Sequence, residues 1–236
     1  MKTALWFSGG KDSLACLLLH RDRLDEIVVL WANTGKNYPE VLEFVERVRA
    51  MCPHWVEVKA DRDGQWASNG YPADVVPIDY TVTGQLFTGE KPVKIQSYLQ
   101  CCYENIGGAL WAKTLEFGLT EVIRGQRADE SHKSTAKDGD QQNGVSFRHP
   151  IEGWTKPQVM RFIEKEFGEL PEHFSLDHSS MDCYDCTAFT EHTLDRAAYT
   201  KAKHPKLYAE YRIGLSAVLT AIKQATRHYE HIDNLN

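Results

Sequence analysis

A short apolar run, Thr3 to Phe7, stops at Ser8-Gly9-Gly10, and a helix-forming stretch with Leu14, Leu17 and Leu18 on one face runs from Ser13 to His20. This order of strand, glycine turn and helix constrains the chain more than any other feature. Two glycines let the backbone turn with its amides pointing inward, where a helix N-terminus favours negative charge. Ser8 and Ser13 can donate hydroxyls to anionic oxygens, and Lys11 supplies a charge. Asp12 can orient the loop or help hold a metal ion. The spacing is neither the Gly-four-residues-Gly-Lys-Ser/Thr of Walker A loops nor the three-glycine dinucleotide fingerprint.

The elements that follow extend the pattern. Glu26 to Trp31 is a continuous apolar run, as expected for a strand buried on both faces. Asn33-Thr34-Gly35 breaks it, and Pro39 suits the first position of a helix bearing Val41, Leu42, Val45 and Val48. Trp55 to Lys59 alternates like a strand. Alternating strands and helices predict an α/β fold with a doubly wound, parallel twisted sheet. Periodicity is lost from Ala60 to Pro92, a stretch long enough to be functional. Helix is predicted over Ser97 to Phe117, weakened in its middle by Gly107-Gly108, then a strand over Glu121 to Arg124 and a polar loop over Gly125 to Gly144. Another helix spans Pro157 to Phe167, and the chain after Thr187 reads as mainly helical with a break near Pro205. The expected division is a nucleotide-binding domain over 1–190 and a helical C-terminal extension over 191–236.

The 236 residues are 42% apolar, enough for a sizeable core. With 27 Lys and Arg against 33 Asp and Glu, the net charge of −6 does not indicate bulk nucleic-acid binding. No run of about 18 apolar residues is present to span a membrane. The N-terminus enters a polar loop instead of a long apolar signal core, so a cytoplasmic location is expected. There, cysteine patterns point to metal or catalysis before disulfides.

There are six cysteines. Cys16 and Cys52 read as small buried hydrophobes. Cys101 and Cys102 form a vicinal pair, and Cys183 and Cys186 a Cys-x-x-Cys. Four thiolates from two segments can hold a 4Fe–4S cluster. Zinc is the main competitor, although a vicinal pair is the less usual partner for a Cys-x-x-Cys half-site, and a redox disulfide between Cys183 and Cys186 is the third option.

Phe7 to Ser13 (FSGGKDS) resembles the pyrophosphate loop of the adenine nucleotide alpha-hydrolase-like superfamily, also called the PP-loop superfamily. Asn33-Thr34-Gly35-Lys36-Asn37-Tyr38-Pro39-Glu40 is similar to the Asp-Thr-Gly…Phe-Pro-Glu-Thr segment of its phosphoadenylyl-sulfate and adenylyl-sulfate reductase branch, with Asn33 for the Asp and Val41 for the Thr. Gly125-Gln126-Arg127-Ala128-Asp129-Glu130-Ser131 resembles the branch's Gly-x-Arg-x-x-x-Ser. His149-Pro150-Ile151 with Trp154, Thr155 and Val159 resembles its Asn-Pro-Leu…Trp-Thr…Val run. The resemblance implies an adenine nucleotide held by Ser8, Gly9, Gly10, Lys11, Asp12, Ser13, Asn33, Thr34, Gly35, Gly125 and Arg127, with Lys11 and Arg127 acting on its anionic end. It further implies a 4Fe–4S cluster on Cys101, Cys102, Cys183 and Cys186, as in the iron–sulfur type of adenylyl-sulfate reductase. A thioredoxin-like thiol or electron donor would be the partner.

The chain also departs from that branch. Its reductases attack sulfur with a cysteine in a C-terminal Glu-Cys-Gly-x-His segment, whereas no cysteine follows Cys186 in this sequence. The Arg-Lys that follows the vicinal pair is replaced by Tyr103-Glu104-Asn105. Three readings stay open: a reductase-like enzyme whose thiol comes from a partner or whose chemistry uses the cluster directly, an ATP pyrophosphatase that activates an acceptor for sulfur transfer and would use Mg2+, and a non-catalytic nucleotide and cluster sensor. His132 and His149 are weaker acid–base candidates, and Lys133 and Arg148 add positive charge nearby.

Overall fold

The structure is a computed structural model. It describes residues 1–130, 136–176, 181–190 and 194–233, without the side chains of 228 and 230–233. Ser131, His132 and Lys133 lie outside the described residues.

In chain order the strands and helices are β1 (Thr3–Phe7), α1 (Lys11–Leu19), β2 (Ile27–Asn33), α2 (Pro39–Arg49), β3 (Trp55–Lys59) and α3 (Arg62–Asn69). Then come β4 (Tyr71–Ala73), α4 (Val82–Thr88), β5 (Ile95–Ser97), α5 (Tyr98–Cys102), a π-helical turn (Tyr103–Gly107) and α6 (Gly108–Glu116). The chain continues through β6 (Glu121–Arg124), β7 (Gln141–Gln142), β8 (Val145–Arg148), α7 (Lys156–Phe167), α8 (Leu194–Lys203) and α9 (Pro205–Asp233). None of the described helices is long and apolar enough to cross a membrane.

These elements form two compact units, residues 1–60 with 106–182 and residues 61–105 with 183–236. Unit 1 carries a six-stranded sheet of order β3-β2-β1-β6-β8-β7, parallel except for the β7–β8 pair. The expected doubly wound parallel sheet is therefore present. Leu5 at the centre is fully buried, as are Ile27, Val29 and Leu30 of β2, which explains their unbroken apolar runs. On one face Trp6 meets Trp111 and Phe147 edge-on, each at 6.5 Å, and its indole N–H donates to Thr114 Oγ1 at 3.1 Å. On the other face Phe7 packs on Phe44 of α2 at 6.2 Å, and Phe44 on Phe174 at 5.4 Å. Side-chain alternation along β1 divides the two layers.

Unit 2 has a smaller parallel sheet, β4 with β5. Ala73, Tyr80 and Ile95 close a core with Val218 and Ala221 of α9. This grouping differs from a boundary at residue 190: Cys183–Asn236 join Asp61–Asn105, because α9 supplies the apolar surface that the short sheet needs. The stretch 60–92, which shows no periodicity, holds α3, β4 and α4. It escaped notice because each element is short and punctuated by glycine. A Cβ on Gly70 would lie 1.9 Å from the Lys94 carbonyl oxygen, and one on Gly84 1.8 Å from that of Ile78. The helix expected over Ser97 to Phe117 is divided by the π-turn that ends at Gly107.

Candidate functional site

In unit 1 the ligand-facing edge is where the parallel strands end. The strand order reverses beside β1, so the loops after β1 and β6 flank a topological switch point, the usual crevice for a ligand. The loop after β1 is stitched by hydroxyls. Ser13 Oγ accepts from the Ser8 amide at 3.1 Å, lies 3.1 Å from Ser8 Oγ and donates to the Gly10 carbonyl at 3.0 Å. Gly9 has φ +77°, a conformation that β-carbon-bearing residues rarely adopt. Gly10 occupies the N-cap position of α1 with no side-chain cap, which leaves the first-turn amides to an external acceptor.

Gly125 explains how the second loop reaches the first. A Cβ there would fall 2.4 Å from the Asp12 carbonyl carbon and 2.5 Å from the Ser13 nitrogen, so only glycine allows this approach. Arg127 follows, nearly buried at 7% exposed. Its Nε donates to Asp12 Oδ1 at 2.7 Å and its terminal nitrogen to Asp129 Oδ1 at 2.6 Å, with Glu130 at 3.8 Å. The fork expected to face an anion thus braces the loop after β1 through Asp12. Lys11 pairs with the other Asp12 oxygen at 3.2 Å. Burial, followed by the Asp12 charge, raises the Glu130 carboxyl to about 6 against the opposing pull of Arg127. Glu130 was visible beforehand only as an unnamed position in the Gly-x-Arg segment.

Asn33, Thr34 and Gly35 leave β2 next to β1. Asn33 Oδ1 accepts from the Gly35 amide at 2.8 Å, an Asx turn, while its amide donates to Glu57 at 2.6 Å. Thr34 Oγ1 donates to the Asp182 carbonyl at 3.0 Å. Both polar side chains are engaged in bonds within unit 1. His149 is 3% exposed with neither ring nitrogen hydrogen-bonded; burial and Arg124 hold its pKa below the usual histidine range. Trp154 is half-buried against Phe162 at 5.1 Å, and Arg148 pairs with Glu121 at 3.3 Å.

Unit 2 contains all four paired cysteines. Cys101 and Cys186 are buried and lie near enough to raise each other's cost of ionisation, while Cys102 and Cys183 are half-buried. The Trp66 indole N–H donates to Cys101 Sγ at 3.2 Å, and the Asn105 amide at 3.6 Å. Arg62, 3% exposed, stacks 3.5 Å over Trp66 and donates to Asp185 at 2.5 Å. Arg196 donates to the Cys186 carbonyl at 3.0 Å. Burial raises both thiols, and the two arginines oppose it at Cys186. Positive charge absent after the vicinal pair is therefore supplied by α3 and α8, which no local sequence signal announced. Among the described residues, no three or more His, Cys, Asp or Glu side chains are grouped so as to hold a metal ion. Cys16 is fully buried and Cys52 nearly so, with the Cys52 thiol pushed up to about 11 by burial, as suits inert core positions.

No curated protein sequence matches the chain. Among solved structures, it is similar to the phosphoadenylyl-sulfate reductase from Candida auris in a phosphate complex. The TM-score is 0.52 at 15% identity, over 77% of this chain and 80% of that one, a likeness of fold. Residues 2–189, which take in both glycine-built loops, the Asn33 turn and all four paired cysteines, match the phosphoadenosine phosphosulfate reductase domain, and the chain belongs to that family.

Proposed function

We propose that the chain is a sulfonucleotide reductase-like enzyme that holds the anionic end of an adenine nucleotide at Ser8 to Ser13 and acts in sulfur metabolism. The observation that carries this reading is the uncapped first turn of α1, framed by Ser8 and Ser13 and braced by the Asp12–Arg127 pair. Backbone amides in that turn bind the phosphate or sulfate oxygens, and Lys11 neutralises their charge. Thr34 and Gly35 bound the adenosine side. In the forward reaction a thiolate attacks the sulfate sulfur and the nucleoside phosphate leaves. A second thiol then releases sulfite, so that sulfur gains two electrons and a disulfide forms. In this reading a thioredoxin-like dithiol partner supplies both thiols.

Cys101, Cys102, Cys183 and Cys186 would hold a 4Fe–4S cluster. The donor chemistry of unit 2 supports this: two buried sulfurs in mutual range, N–H donors from Trp66 and Asn105, and two buried arginines to offset thiolate charge. The cluster would supply a redox-active iron centre. One further reading rests on the same uncapped first turn of α1: an acceptor oxygen attacks the α-phosphate of Mg-ATP, pyrophosphate leaves, and the adenylylated acceptor is ready for sulfur transfer to tRNA or DNA.

Anaerobically purified protein, incubated in turn with ATP, adenylyl sulfate and phosphoadenylyl sulfate plus thioredoxin and reductant, separates these outcomes. Sulfite from either sulfonucleotide is the expected result. Pyrophosphate from ATP, with no sulfite, replaces it with the second reading. Nucleotide binding without turnover leaves a sensor.

A further inference from the structure

Two residues of α3 that no motif singled out stand between the two cysteine pairs of unit 2. Arg62 and Trp66 are four positions apart, so they share one face of that helix. The Trp66 indole N–H donates to Cys101 Sγ at 3.2 Å. Its ring carries the Arg62 guanidinium 3.5 Å above it and meets Tyr71 edge-on at 5.3 Å. From that position Arg62 donates to Asp185, the residue that precedes Cys186. One stacked pair of side chains thus links the vicinal cysteines of α5 to the Cys-x-x-Cys loop.

Two further observations give this link a chemical direction. Arg62 Nε is buried and has no hydrogen-bond partner among the described residues. Buried donors are rarely left unmet, and in a pocket of four cysteines the acceptor of matching chemistry is sulfur. A cation over the indole face also polarises the ring, which makes its N–H a stronger donor to Cys101. We propose that Arg62 and Trp66 are positioning residues that tie the two cysteine pairs together and set the reduction potential of the iron–sulfur centre those cysteines would hold. The inference rests on the proposed cysteine site and goes beyond it by assigning what tunes that site. One electron added to such a centre adds one negative charge. An N–H donor on Cys101, backed by a buried cation, stabilises that charge and therefore raises the potential.

Trp66→Phe keeps a ring for Arg62 and Tyr71 but removes the N–H. Arg62→Lys keeps a charge near Asp185 but removes Nε and the planar fork. Wild type and both variants are loaded anaerobically with iron and sulfide, then titrated electrochemically while visible absorbance is followed. Trp66→Phe should retain its iron and be about tenfold harder to reduce, a fall of about 59 mV for a one-electron couple. Arg62→Lys should release iron to a chelator about tenfold faster than wild type. A Trp66→Phe potential equal to or above that of wild type would overturn the proposal. So would Arg62→Lys that holds iron as firmly as wild type. Nitrogen-15 spectra of the wild-type protein provide a test that needs no variant. Trp66 is the one tryptophan of unit 2, and its indole N–H signal should be broadened or shifted in iron-loaded protein but sharp in zinc-loaded protein. All six indole signals unchanged between the two states would contradict the Cys101 bond. If wild type takes up no iron, or Cys183→Ser takes up as much as wild type, the cysteine site itself is wrong. If those controls behave and both variants match wild type, this inference alone fails.

Discussion

The nucleotide site proposed for unit 1 is built from backbone, while the cysteine site proposed for unit 2 is built from side chains gathered across the chain. In unit 1 the proposed phosphate loop is Ser8–Gly10 between β1 and α1 together with the first turn of α1, shaped by the positive φ of Gly9 and by hydroxyl stitches. In unit 2, Cys101 and Cys102 end a short helix, Cys183 and Cys186 arrive from 80 residues later, and Arg62 and Arg196 come from two further helices. The difference teaches that a backbone-built site can be read as a local string, whereas a side-chain site depends on which elements pack together. It also separates the consequences of damage, and variants can exploit that.

Cys183→Ser should have the largest effect, removing nearly all bound iron and the broad visible absorbance while leaving nucleotide affinity near wild type. Unchanged iron content would break the proposed ligand set. Lys11→Ala is the mirror experiment. It should weaken nucleotide binding by about a hundredfold or more with iron content intact, measured by titration calorimetry and iron assay. Loss of both properties in either variant would break the separation of the two sites.

Gly125→Ala sharpens the comparison within unit 1. A methyl group 2.4 Å from the backbone of Asp12 must displace one loop from the other. The expected cost is about 3 kcal/mol in denaturant unfolding, accompanied by weaker nucleotide binding. Wild-type stability would mean that the two loops do not approach as described.

The smallest effects concern pH. His149 and His173 are held below the usual histidine range, so the unfolded chain takes up protons that the folded chain refuses. Their stabilising contribution is present above the unfolded value of 6.5 and is lost as pH falls below it, which a series of melting temperatures from pH 7.5 to 5 should register. Glu130 works in the other direction. Raised from 4.5 to about 6, its ionised form is disfavoured in the folded state above that value. Glu130→Gln should raise the melting temperature by a few degrees at pH 8, on the order of 1 kcal/mol after allowance for partial solvent screening, with the gain fading below pH 5. A gain independent of pH would show that charge is not its origin.

Much of unit 1 was legible in advance. The continuous apolar runs of β1 and β2 announce strands buried on both faces, and Ser8-Gly9-Gly10 marks the turn between β1 and α1. Unit 2 was far less legible. α3, β4 and α4 are too short for a period to emerge, and their stability comes from α9, more than 100 residues away. Arg127 illustrates the limit inside unit 1: its place beside the phosphate loop follows from the motif, but its engagement with Asp12, Asp129 and Glu130 depends on how closely Gly125 lets the loops approach.

The amino-acid sequence by itself determined the parallel sheet, the glycine turn that bends its first loop and the identities of four paired thiols. Those properties follow from local backbone conformation and from the spacing of apolar side chains. Only the tertiary structure decided that the Arg127 fork turns onto carboxylates and that Arg62 and Arg196 reach Asp185 and the Cys186 carbonyl. The Arg127–Asp12 and Arg62–Asp185 pairs join residues 115 and 123 positions apart, and their geometry is set by packing, which no short stretch of sequence encodes.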